Sequence, residues 1–186
     1  MPRPPILPVI NWEKVFNSGK TYEQWIAGAE SSENRESMEQ SRKNLRFEML
    51  GKWDFPRPVH VVAIAEDWCG DVVRHVPVLQ AIADKAGELR VRYITREQWP
   101  DVFARFLTNG GEAIPKFVFL NDKFVECGNW GPMPEMCKTL IARGKACGNI
   151  AAARTKIAQF YLADTNRRMV FEELMLLIDI ALTAEP

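Results

Sequence analysis

Cysteine and histidine are scarce in this chain, with four and two among 186 residues. No run of five or more like charges occurs, and no apolar stretch is long and uncharged enough to span a bilayer. Four cysteines are too few for a disulfide-stapled secreted scaffold. The 24 basic and 24 acidic residues sum to zero, which argues against a protein that tracks a phosphate backbone, so no nucleic-acid partner is expected. The most apolar segment, Val170 to Leu182, is broken by Glu172, Glu173 and Asp179, so no membrane span is expected. Four prolines among the first eight residues leave no helical apolar stretch for a secretory signal, and a reducing, cytoplasmic setting is the expectation. Glycine-rich phosphate loops, H-E-x-x-H and G-x-S-x-G are absent, so no cofactor is expected. Cys137 and Cys147 lie ten residues apart with neither a C-x-x-C pattern nor a nearby histidine, and no metal site is expected.

What remains is ordinary globular composition, 47% hydrophobic and 26% charged. Residues 1–11 form an extended, proline-rich lead-in. Apolar spacing predicts helices over 21–30 and 33–50, followed by a linker at 51–58. Val59–Ala65 is a β-branched run of the kind buried in parallel strands, with His60 as its one polar residue. A helix is expected over 69–85, a strand over 89–95 and a helix over 100–107. A hairpin over 116–127 and helices over 134–146, 149–163 and 167–183 complete the chain, with Asp164 or Thr165 capping the last. The order β-α-β-α-β-β-α over 59–147 specifies an α/β fold, a mixed sheet flanked by helices. The expected organisation is an N-terminal helical extension (1–58), a core (59–147) and a C-terminal helical extension (148–186), packed together as one compact domain.

Cys69 stands where the first strand gives way to a helix, in the turn Glu66-Asp-Trp-Cys-Gly-Asp71. Free N–H groups at a helix N-terminus favour a thiolate. The carboxylates of Glu66, Asp67 and Asp71 oppose that effect, and Arg74 and His75 offset part of the opposition. A thiol more reactive than a buried one is expected, against the alternative of a structural cysteine. Trp68 shields one side of the sulfur, and Gly70 lets another backbone approach. Asp67 and Asp71 read equally as proton acceptors and as solvated turn residues. Arg92 and Arg96 are expected in solvent, His75 at the surface, and Cys127 as a small core residue rather than a distant partner for Cys69.

Ala65-Glu-Asp-Trp-Cys-Gly-Asp71 resembles the W-C-G-P-C active-site turn of the thioredoxin family. Pro77 resembles the proline that kinks that family's active-site helix. Ile114-Pro115, 46 residues after Cys69, resembles its cis-proline, and Gly131 the glycine of its substrate groove. The run Trp68-Cys-Gly-Asp-x-x-Arg74-x-x-Pro77 is similar to a bacterial single-cysteine (W-C-G-D) subfamily with helical extensions. The resemblance implies a thioredoxin-like fold, Cys69 as catalytic residue, and a turn and groove formed by Trp68, Gly70, Asp71, Arg74, Ile114, Pro115, Trp130 and Gly131. Pro115 otherwise reads as a strand start, and Trp130-Gly131-Pro132 as ordinary packing.

Two departures matter. The family's second cysteine would fall at 72, where this chain has Val72, and its buried acid at 63, where it has Ala63. An internal C-x-x-C cycle is thus unavailable. The resemblance implies a monothiol redox protein exchanging mixed disulfides with a protein disulfide or a glutathione-like thiol, as a monomer or homodimer. The alternative is a non-catalytic binding module on the same fold.

Overall fold

The computed structural model describes residues 7–47 and 54–184. Three helices precede the sheet: α1 (Trp12–Ser18), α2 (Tyr22–Ala27) and α3 (Ser32–Asn44). Then follow β1 (Val59–Ile64), α4 (Gly70–Ala83), β2 (Leu89–Ile94), α5 (Pro100–Phe103) with a 3-10 turn to Phe106, β3 (Lys116–Leu120) and β4 (Glu126–Trp130). The chain closes with α6 (Glu135–Ala146), α7 (Ile150–Ala163) and α8 (Arg168–Thr183). No helix among the described residues is long and apolar enough to cross a membrane.

The sheet order is β2-β1-β3-β4. β1 runs parallel to β2 and antiparallel to β3, and β3 runs antiparallel to β4. This is the mixed, helix-flanked sheet the element order implies. β1 lies inside the sheet, and all six of its residues are buried. That explains why its sequence reads as a continuous apolar run rather than an alternation. The β3–β4 turn hangs on Asn121, whose Oδ1 accepts from the N–H groups of Lys123 and Val125.

α4 and α8 cover one face of the sheet, and α1 packs on the other, with Phe16 edge-on to His60 at 4.8 Å. α8 buries Val170, Leu174, Ile178 and Ala181, a 3.6-residue stripe. Leu177 lies so near β4 that a Cβ on Gly128 would come within 2.8 Å of it. Asp164 caps α8, accepting from the N–H groups of Arg168 and Met169.

Three boundaries differ from the sequence pattern. α1 begins inside the segment following the proline-rich lead-in, capped by Asn11, whose Oδ1 accepts from Lys14 N–H. Its seven residues bury Trp12, Val15 and Phe16, too short a run to show periodicity. α3 stops at Asn44 and Leu45 is extended, while Met49, Leu50 and the start of the expected linker lie outside the described residues. The last strand begins at Glu126 rather than 124, because Phe124 adopts a left-handed turn conformation with φ of 58°.

Candidate functional site

The turn between β1 and α4 is tied down from three sides. The Trp25 indole donates to the Ala65 carbonyl. Asp67 accepts from Ser31 N–H through its carboxylate and from the Asn34 amide through its carbonyl. Glu66 pairs with Arg96 at 2.9 Å. Hydrogen bonds from Arg96 outweigh burial and hold the Glu66 carboxyl below its usual range. Asp67 is therefore an anchor for the start of α3, not a solvated turn residue. Arg96 is likewise not merely in solvent: it also pairs with Glu112 and lies 5.4 Å from the Trp68 ring.

Trp68 is 57% exposed and is not among the residues that line the Cys69 groove; it stands over the Glu66–Arg96 pair instead. Cys69 occupies the N-cap position of α4, and no side chain caps that helix. Its Sγ lies 3.5 Å from the Ile114 carbonyl oxygen, to which the thiol donates. The Ile114–Pro115 peptide is cis, and this carbonyl lies just ahead of β3. A Cβ on Gly70 would meet nothing within 4 Å, so the space beside the turn is open.

Gly131 fixes the other side. Its φ is 115°, and a Cβ there would sit 2.1 Å from the Pro115 carbonyl oxygen. The Gly131–Pro132 peptide is also cis. Lys116, buried directly after Pro115, donates to the Gly131 carbonyl at 2.9 Å and to Thr108 Oγ1 at 2.6 Å. Burial, reinforced by the Lys138 charge, lowers its ammonium to about 8. Trp130 does not line the groove. It is buried, stacks on Phe117 at 5.3 Å and donates from Nε1 to Glu173 on α8.

Cys69 opens into a groove of about 850 Å³. Asp71 and Arg74 from α4, Met133, Ile141 and Lys145 from the α6 region, and Arg154, Ile157, Tyr161 and Leu162 from α7 line it. Burial raises the Asp71 carboxyl above its ordinary range, with Arg74 opposing. Arg74 lies 4.4 Å over the Tyr161 ring. Beneath it, His75 is fully buried rather than at the surface. Its Nε2 is 3.3 Å from the Tyr161 hydroxyl, its ring is edge-on to Trp130, and its Nδ1 has no partner. Burial, with the charges of Arg167 and Arg74, pushes its imidazole down to about 3.

Val72 and Ala63 are both completely buried. All four cysteines are free: Cys137 is buried, Cys69 and Cys127 are partly buried, and Cys147 is exposed. Among the described residues no three His, Cys, Asp or Glu side chains converge as metal ligands.

The sequence pattern of the thioredoxin family matches residues 19–149. The chain belongs to the thioredoxin family. A crystal structure of a protein of unknown function from Pseudomonas aeruginosa superposes with a TM-score of 0.67 at 15% identity, covering 92% of this chain and 98% of that one. An HIV epitope-scaffold superposes with a TM-score of 0.68 at 13% identity, covering 91% and 98%. At these identities the likeness is one of fold, and it reaches beyond the family match into the terminal helices. No curated protein sequence matches the chain.

Within the thioredoxin family pattern, structure brings Cys69, Gly70, Asp71, Arg74, Ile114, Pro115 and Gly131 together and sends Trp130 inward. Sequence reasoning missed the α7 wall and the His75–Tyr161 pair. Tyr161 lies 86 residues from His75, and no local pattern marks a helix as one that folds back over a distant turn.

Proposed function

We propose that this thioredoxin-family protein exchanges disulfides through Cys69 alone. The contact between Cys69 Sγ and the Ile114 carbonyl at an open groove carries the reading. It sets a backbone carbonyl just ahead of β3 beside the thiol of the turn, where a substrate disulfide can be held against it. The Cys69 thiolate attacks one sulfur of R–S–S–R′. A Cys69–S–S–R bond forms, the R–S–S–R′ bond breaks, and R′–S⁻ leaves to take up a proton. Buried Val72 supplies no second attacker. An external thiol R″–SH therefore gives up its proton, attacks R, forms R–S–S–R″ and returns Cys69 as thiolate. The sum is R″–SH plus R–S–S–R′ giving R–S–S–R″ plus R′–SH.

The test is mixed-disulfide formation with hydroxyethyl disulfide, followed by intact mass in a Cys147→Ser background that removes the exposed thiol. One adduct located at Cys69 and released by added thiol is expected, and Cys69→Ser abolishes it with circular dichroism unchanged. Adduct formation persisting in Cys69→Ser refutes the proposal, as does a Cys69 that forms none.

A second reading, a non-catalytic binding module, draws on buried Val72 and Ala63, which leave neither second thiol nor buried acid. It gains if Cys69→Ser retains cellular partners with undiminished affinity, and loses if that variant loses them.

A further inference from the structure

The groove at Cys69 is asymmetric in charge and in origin. Its outer wall is α7, which lies beyond the 19–149 family match. α7 is locked against α6 by small residues: a Cβ on Gly144 would come within 2.8 Å of the Ala153 Cβ. Asn149 caps α7, accepting from Ala152 N–H. The wall is therefore a fixed part of the fold.

Three cations, Arg74, Lys145 and Arg154, face this groove from three different helices. None of them forms an ion pair with a carboxylate among the described residues. α7 carries Arg154 and Lys156 and no acidic residue. Asp71 is the one carboxyl among the described lining residues, so the groove sets three cations against a single anion. Between the cations lie Met133, Ile141 and Leu162, the last 77% exposed. Unpaired cations converging on an apolar surface complement a partner with several carboxylates and an apolar side chain. A groove of about 850 Å³ exceeds what a single small thiol fills.

We infer that the groove selects an acidic peptide segment with an apolar side chain, presenting that segment's disulfide to Cys69. The inference rests on Cys69 being the reacting thiol. In the step itself, the Cys69 thiolate attacks the peptide sulfur, a Cys69–S–S–peptide bond forms, the peptide's original S–S bond breaks, and the departing thiolate leaves with that bond's electron pair.

The probes are three peptides of equal length, each with one cysteine in a mixed disulfide with thionitrobenzoate, whose release is coloured. Their flanking residues are acidic, neutral amide or lysine, around a common leucine. At low salt the acidic peptide is expected to react roughly tenfold faster than the lysine peptide, with the difference shrinking as salt is added. The double variant Lys145→Glu/Arg154→Glu is expected to invert the order, an outcome that misfolding does not produce. Equal, salt-independent rates overturn the inference. So does a small dicarboxylic thiol that competes as well as the acidic peptide. Binding is read separately from exchange, by fluorescence anisotropy of the acidic peptide with cysteine replaced by serine, on Cys69→Ser protein. If no probe exchanges but this binding retains its charge preference, the exchange reading falls and the groove assignment stands. If exchange proceeds without charge preference, the reverse holds.

Discussion

Gly131→Ala will destabilise the protein by at least about 3 kcal/mol in urea unfolding, with an m-value close to that of the wild type. Two independent effects add. The φ of 115° at this position is one that a side chain rarely tolerates, and such strain costs on the order of 1–3 kcal/mol. The new methyl would also stand 2.1 Å from the Pro115 carbonyl oxygen. That oxygen belongs to backbone leading directly into β3, so it has no flexible end to swing away. Relief requires separating the Pro115 and Gly131 segments. That separation breaks the Lys116 ammonium's bond to the Gly131 carbonyl and shifts Ile114 away from the Cys69 sulfur. The rate at which Cys69 is alkylated should change with it. Gly70→Ala serves as the control, since a Cβ there meets nothing within 4 Å. At the first residue of α4, alanine is the better helix former, and stability should stay within about 0.5 kcal/mol of the wild type or rise. A Gly131→Ala loss no larger than the Gly70→Ala change would contradict the close approach described.

His75 should dominate the acid side of the stability curve. Its imidazole in the folded protein protonates only near 3, against about 6.5 in the unfolded chain. Above pH 6.5 the ring is neutral in both states and stability does not respond to it. Between 6.5 and about 3 the unfolded chain takes up a proton that the folded one refuses, so stability falls as pH falls. At about 1.4 kcal/mol per pH unit, roughly 2–3 kcal/mol is lost by pH 4.5 and about 4 kcal/mol by pH 3. His75→Gln removes the titration while keeping a hydrogen-bonding partner for the Tyr161 hydroxyl. It should lose stability less steeply than the wild type from pH 7.5 to 4.5, whatever its stability at neutral pH. The comparison cancels groups common to both proteins, such as Glu66, whose depressed carboxyl also gives up stability in acid. Parallel curves for the two proteins would refute the assignment, as would a His75 ring resonance that titrates near 6.5.

Much of the framework is legible without coordinates because it is local. Val59–Ala65 is β-branched and nearly free of polar groups, and no other element suits that stretch. Asp164 stands just before the Val170-Leu174-Ile178 stripe, and its carboxylate accepts from the first N–H groups of that helix. α1 escapes notice because seven residues supply only one apolar cluster. His75 is misjudged because its neighbours in sequence, Arg74 and Asp71, are polar. Its burial depends on Tyr161 and Trp130, which come from α7 and β4. Arg96 and Asp67 are misjudged for the same reason. Their partners, Glu66 and Glu112 for one and Ser31 and Asn34 for the other, lie 16 to 36 residues away.

By itself the sequence determined the element order from β1 to α8, the turn that bears Cys69, and the lack of a second thiol at position 72. Those are properties of residue type and spacing over a few turns, where propensity and periodicity act. The tertiary structure alone decided that Trp130 turns inward to α8 and that α7 folds back to make one wall of the groove. It also decided that three cations and a single carboxyl, Asp71, face the groove. These depend on which surfaces bury one another across long chain separations, where the gain in apolar burial is collective and no short stretch of residues encodes the outcome.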